Sequence, residues 1–197
     1  MSDVLTYALL GGAGYALWRY RDRIEAAIRD VTGAGQGAPP QPPASVPSST
    51  LAAIRSAGVP ARDRPLVAAI IAVESGGNPR AHNTAGEDSR GLMQVQLTTA
   101  QGLWDVDDGT LGLRRAYARD ELGRVLFQPE GGVRIGYAFV RYLRERVPGQ
   151  YRDAPEDWVI RAYNGGESWH RKGTGVRAAT MDYLRKVRAA MAQTGGV

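Results

Sequence analysis

Residues 63–79 constrain the fold more than any other stretch of the chain. Asp63-Arg64-Pro65 leads into Leu66, Val67, Ile70, Ile71 and Val73, and then into Glu74-Ser75-Gly76-Gly77-Asn78-Pro79. The apolar positions cover much of a helix circumference, which predicts a central helix buried on most of its sides. Asp63 is placed to cap its start, with Pro65 in the first turn, where a missing N–H costs little. Gly76-Gly77 and Pro79 end it. Such a helix needs others around it, and the sequence offers three. One runs from Pro129 to Arg146, with Val133, Ile135, Tyr137, Val140, Tyr142 and Leu143 as core side chains. A second opens at Pro155 and reaches Tyr163. The last covers residues 178–192, with Met181, Leu184, Val187 and Met191 at helical spacing. The stretch from Trp104 to Leu126 shows no single period and reads as a cleft-side insertion or an irregular helix pair. A small β-hairpin is expected around residues 81–90. The expected fold class is mainly α.

Ahead of this region the composition changes twice. Residues 4–18 carry no charge, and Arg19, Arg21 and Arg23 follow in a helical segment that continues to Asp30. Residues 32–50 are rich in Gly, Pro, Ser, Ala and Gln, the composition of an extended linker. Three regions are therefore expected: an apolar N-terminal helix over 1–31, a linker over 32–50, and a main domain over 51–197. The apolar run is shorter than the ~20 residues of a usual spanning helix. Ser2 and the stem of Arg19 extend it, with Trp18 and Tyr20 at the interface. Membrane association through residues 4–20 is one reading; an amphipathic or buried terminal helix is the other. Ala8, Gly12 and Ala16 line one face with small side chains, which permits self-association of such helices. The acidic start Met1-Ser2-Asp3 does not suit a cleaved signal peptide.

A carboxyl group at the end of an apolar helix suits proton donation, because burial disfavours the charged form. Glu74 has that position, and a protonated acid beside a cleft suits the cleavage of a glycosidic bond. Other chemistries find little support. Cysteine is absent, so disulfides and thiolate metal sites are excluded. His82 and His170 are isolated and make no ligand set, so no metal or cofactor is expected; His82 reads as a surface loop residue. Ala72-Val73-Glu74-Ser75 is not a nucleophile elbow. The formal charge of +5 suits anionic partners. Its Arg residues are dispersed, without a basic stripe and stacking aromatics, which argues against nucleic acid.

Three separated segments resemble one known family. They are Glu74-Ser75-Gly76 with Asn78-Pro79, Gly91-Leu92-Met93-Gln94-Val95, and Ala162-Tyr163-Asn164-Gly165-Gly166. Tyr183 with Lys186-Val187 is similar to that family's closing helix. In this order they resemble the soluble, goose-type-lysozyme-like lytic transglycosylases, which cut peptidoglycan glycan strands. The resemblance implies a lysozyme-like α-lobe with Glu74 as the catalytic residue. Glu74 would protonate the glycosidic oxygen between N-acetylmuramic acid and N-acetylglucosamine. It would then deprotonate the C6 hydroxyl, closing a 1,6-anhydromuramoyl ring without water.

The resemblance also implies substrate contacts. Gln94 would bond sugar hydroxyls and N-acetyl groups, and Met93 would form a packing wall. Tyr163 would bond Glu74 or the N-acetyl group, and Asn164 would orient its loop or touch sugar. Asn83, or Ser89 in its place, falls near the serine that sits beside the reacting sugar in the family; the loop here is longer. Tyr183 would close the cleft or pack between helices. Two departures concern details of the cleft: Gly165 where the family has Ala, and Ala179 where a glutamate often precedes the threonine.

Two alternatives remain at this level. One is a hydrolytic goose-type muramidase; the other is an anchored, non-enzymatic structural protein that only binds glycan. Location is expected at a membrane, either in a phage virion or at the bacterial envelope. The Arg cluster lies on the domain side of the apolar segment, which would hold the domain away from the wall in a resident enzyme. An enzyme carried in a virion escapes that conflict.

Overall fold

The computed structural model describes residues 46–84 and 88–194. The expected N-terminal helix, and the linker up to residue 45, lie outside the described residues. Among the described residues no helix is long and apolar enough to cross a membrane.

Eight α-helices and a small three-stranded sheet make up the described chain. Helix α1 (Ser48–Ser56) begins within the last residues of the expected linker, and a 3-10 turn (Ala61–Asp63) leads into α2 (Arg64–Ser75). Strands β1 (His82–Asn83), β2 (Ser89–Arg90) and β3 (Val95–Gln96) follow. Then come α3 (Leu97–Val106), α4 (Leu113–Ala116), α5 (Leu122–Val125) and α6 (Pro129–Arg144). Helices α7 (Pro155–Gly165) and α8 (Thr174–Thr194) complete the domain. This is the mainly helical architecture the sequence called for.

Helix α2 is the centre. Leu66 to Ile71 are all buried without interruption, and α2 packs against α8 and α1. Gly76 ends it in the left-handed conformation at φ +60°, donating its N–H to Ala72 O. Helix α7 opens with Pro155, Glu156 and Asp157, which complement its N-terminus. Arg188 of α8 reaches back to Asp157 and Glu156 at 3.0 and 2.7 Å, tying the two helices together.

Several expectations are corrected. Asp63 makes no side-chain cap to α2. Its buried carboxylate instead accepts from the Tyr137 hydroxyl at 2.6 Å and pairs with Arg144 at 2.9 Å, because a buried charge is better satisfied by a guanidinium and a hydroxyl. Tyr137 and Tyr142 are half-buried at the rim of α6, not in the core. Helix α8 starts before residue 178 and leaves Met181 41% exposed, while Tyr183, Leu184 and Val187 face inward. Trp104–Leu126 holds the end of α3 and two short helices, the irregular-pair reading. The expected hairpin is present, and β3 adds a third strand that the sequence did not announce. All pairing is antiparallel, with Asn83 opposite Ser89 and Ser89 opposite Gln96.

Candidate active site

Glu74 lies one residue before the end of α2, partly exposed, where the helix leaves the core. Across from it, Tyr183 of α8 is fully buried, and its hydroxyl donates to Glu74 Oε1 at 2.8 Å. The two positions are 109 residues apart in sequence and meet because α2 and α8 are packed neighbours. Sequence reasoning placed Tyr183 near the cleft without assigning it this contact.

The next residue joins Glu74 to the turn at 91–94. Ser75 Oγ donates to Leu92 O at 2.7 Å and accepts from Gly77 N–H at 3.2 Å. Ser75 belongs to the sequence motif, but nothing in the sequence gives it a role. The turn itself depends on two left-handed residues. Gly91 has φ +72°, and a Cβ there would come within 1.9 Å of Leu126 O, so no larger residue fits. Gln94 has φ +47°, a conformation that costs a non-glycine residue about 1–2 kcal/mol. Its own side chain offsets that cost, since Nε2 donates to Ala81 O at 2.9 Å and to Gly91 O at 3.0 Å. Backbone strain held in this way is characteristic of functional sites.

Met93, fully buried between these two residues, is covered by α6. A Cβ on Gly136 would meet the Met93 sulfur at 2.4 Å, so the helix approaches the turn as closely as a backbone allows. The Met93 carbonyl accepts from the Tyr163 hydroxyl of α7 at 2.9 Å. Helices α2, α6 and α7 therefore converge on residues 92–94. Asn164 is buried inside α7, which runs two residues past its expected end. Asn83 is half-exposed and Ser89 buried, side by side on β1 and β2.

The second row of the sheet engages elsewhere. Asp88 accepts from His82 Nε2 at 2.8 Å and from Arg90 Nε at 2.6 Å. Hydrogen bonds from Arg90 hold the Asp88 carboxyl below the usual carboxylate range; its partial burial opposes them and the His82 bond adds to them. His82 is thus a strand residue, in edge contact with the Phe127 ring at 5.3 Å. Among the described residues no group of three or more His, Asp or Glu gathers to hold a metal ion.

A carboxylate at a helix end, bonded by a tyrosine and followed by a serine tied to a strained turn, can donate and recover a proton beside a bound ligand. A family model described as "Transglycosylase SLT domain" matches residues 52–183, a span that begins in α1 and ends at Tyr183. A search of the curated proteins found no match.

Proposed function

The chain belongs to the transglycosylase SLT domain family, lytic transglycosylases acting on peptidoglycan, and from that premise we propose that Glu74 serves as its acid and then as its base. Glu74 protonates the oxygen between N-acetylmuramic acid and N-acetylglucosamine. The substrate's own N-acetyl carbonyl oxygen stabilises the anomeric carbon as that bond breaks. Ionised Glu74 then takes the proton of the C6 hydroxyl, which attacks the anomeric carbon and closes a 1,6-anhydromuramoyl ring. The proton given in the first step is recovered in the second, and no water is consumed.

The observation that carries this reading is the Tyr183–Glu74 hydrogen bond at 2.8 Å, which holds one carboxylate oxygen in place. Two-carboxylate glycosidases need a second acid across the scissile bond. Asp88, an acid of the neighbouring loop, is committed to Arg90 and His82, which favours a mechanism with a single acid. Tyr163, Met93 and Gln94 shape the wall of the sugar site. Asn83, or Ser89 in its place, supplies a polar contact from the sheet, and Asn164 orients its loop or touches sugar.

The test is mass spectrometry of muropeptides released from purified peptidoglycan by wild type and by Glu74→Gln. Products one water lighter than hydrolysis products, lost in the variant, are expected. Reducing-end products would make the protein a muramidase, and no release by either would leave only a glycan-binding domain.

We further propose that residues 4–20 associate with a membrane, in a virion or at the cell envelope, with Ala8, Gly12 and Ala16 permitting self-association. Local opening of the wall, for passage of a phage, is the role that fits the Arg cluster beside the domain. In membrane flotation the full chain is expected to float and a chain starting at residue 46 to sediment. Equal behaviour of the two removes the anchor.

A further inference from the structure

Arg161 of α7 makes contacts that the proposed chemistry does not use. Its Nε donates to Thr180 Oγ1 at 3.2 Å and its Nη2 to Arg177 O at 3.1 Å, both on the first turns of α8. The Thr180 hydroxyl itself donates to Arg177 O at 3.0 Å, so the two acceptors are held at a fixed spacing. The guanidinium carbon lies 3.5 Å from the centre of the Trp169 ring. Trp169 is buried and packs against Tyr151 and His170, with ring centres 5.6 and 5.7 Å away. The planar fork of Arg161 is thus stacked on a ring that is itself fixed, and it reaches two acceptors that a single ammonium would not match.

Both helices that Arg161 joins carry a tyrosine of the site. On α7, Tyr163 lies two positions on and bonds the Met93 carbonyl at 2.9 Å. On α8, Tyr183 lies one turn beyond Thr180 and on the same face, since positions i and i+3 are neighbours on a helix surface. Thr180 and Tyr183 are both fully buried, and the Tyr183 hydroxyl bonds Glu74 at 2.8 Å. Arg161 therefore grips α8 between its start at Thr174 and the tyrosine that meets the acid. A slide or roll of α8 along α7 would move that hydroxyl relative to the carboxylate. A misplacement of ~1 Å near reacting atoms costs up to ~100-fold in rate.

We propose that Arg161 is a positioning residue for the reaction, setting the register of α8 against α7 and so placing the Tyr183 hydroxyl on Glu74, an inference that rests on the reading of Glu74 as the acid. It acts through Thr180, Arg177 and the helix they belong to. Residue 161 stands just ahead of the third motif, Ala162-Tyr163-Asn164-Gly165-Gly166, and no local pattern marks it.

The test is a double-mutant cycle on the full chain, pairing Arg161→Met with Tyr183→Phe, with two readouts. One is steady-state release of muropeptides. The other, which does not depend on activity, is the NMR signal of tyrosine isotopically labelled at the ring carbon that bears the hydroxyl. The Tyr183 signal is the one missing in Tyr183→Phe, and its displacement in Glu74→Gln shows its response when the acceptor changes. Arg161→Met is expected to displace the same signal, to lower kcat about fivefold with KM little changed, and to add less than about twofold to the loss in Tyr183→Phe. Arg161→Lys is expected to behave like Arg161→Met, because it lacks the fork. Thr180→Val removes one acceptor and is expected to give a smaller change in the same direction. An unmoved Tyr183 signal in Arg161→Met overturns the proposal. So does a loss that multiplies fully with that of Tyr183→Phe, since Arg161 would then only stabilise the corner between the helices. Full activity in Arg161→Lys refutes the fork. Should wild type release no muropeptides, the reading of Glu74 falls, while the Tyr183 signal still decides whether Arg161 holds the hydroxyl in place.

Discussion

At Glu74 the proposed chemistry draws on a neutral donor, the Tyr183 hydroxyl. The Tyr183 hydroxyl bonds Oε1 from a buried position, so its loss would loosen the hold on that carboxylate oxygen. Tyr183→Phe is expected to lower kcat by about ten- to a hundredfold, the effect of losing the ~1.5–3 kcal/mol of a hydrogen bond to a charged group, with KM little changed. Steady-state kinetics on solubilised strands checks it, and a change confined to KM would instead place Tyr183 on the substrate. The motif containing Glu74 was legible because Glu-Ser-Gly at the end of an apolar helix is a local pattern. Its tyrosine partner was visible only as a member of a closing helix. Nothing local in residues 180–187 says which side chain faces a carboxylate more than a hundred positions earlier.

At the scale of elements, Asp107 organises the least legible stretch. Its buried carboxylate accepts backbone N–H bonds from Gly109 and Leu111 on one oxygen, and from Leu113 and Arg114 on the other. Burial raises the proton affinity of Asp107, but these four bonds together outweigh it and hold the carboxyl below its ordinary range. The loop and the start of α4 are thus folded around one side chain. Asp107→Ala is expected to speed amide exchange at Leu111, Leu113 and Arg114 at least tenfold, with the α2 amides unaffected; exchange mass spectrometry reads both. Sequence periodicity fails here because the order comes from a carboxylate and not from an apolar face. An Asp two residues before a Gly is a turn signal, but its further bonds to residues 111–114 have none. The long helices were legible for the opposite reason. Helices α2, α6 and α7 carry continuous apolar patterning and prolines at their starts, both local properties.

For the whole molecule, Asp63 links two elements: the turn before α2 and, through Tyr137 and Arg144, α6. Burial pushes its proton affinity up, but the bonds from Arg144 and Tyr137 prevail and the folded carboxyl lies below its usual range. The stability it contributes is therefore present above the ordinary aspartate value near ~4 and is lost as pH falls through the folded value. Wild type is expected to lose urea resistance between about pH 5 and pH 3, and Asp63→Asn to be weaker at pH 7 with a smaller loss on acidification. Urea midpoints at these pH values decide it; parallel curves would mean that Asp63 contributes nothing through its charge. The sequence alone determined the central apolar helix, the acid at its end, the order of the family's motifs and the mainly helical class. These follow from side-chain chemistry and spacing within one or two turns of chain. Only the tertiary structure decided that Tyr183 bonds Glu74, that Asp63 bonds α6 instead of capping α2, and that Gly136 lets α6 close over Met93. Each of these joins residues tens of positions apart, and such contacts are selected by how helices pack around a shared core, which no local pattern encodes.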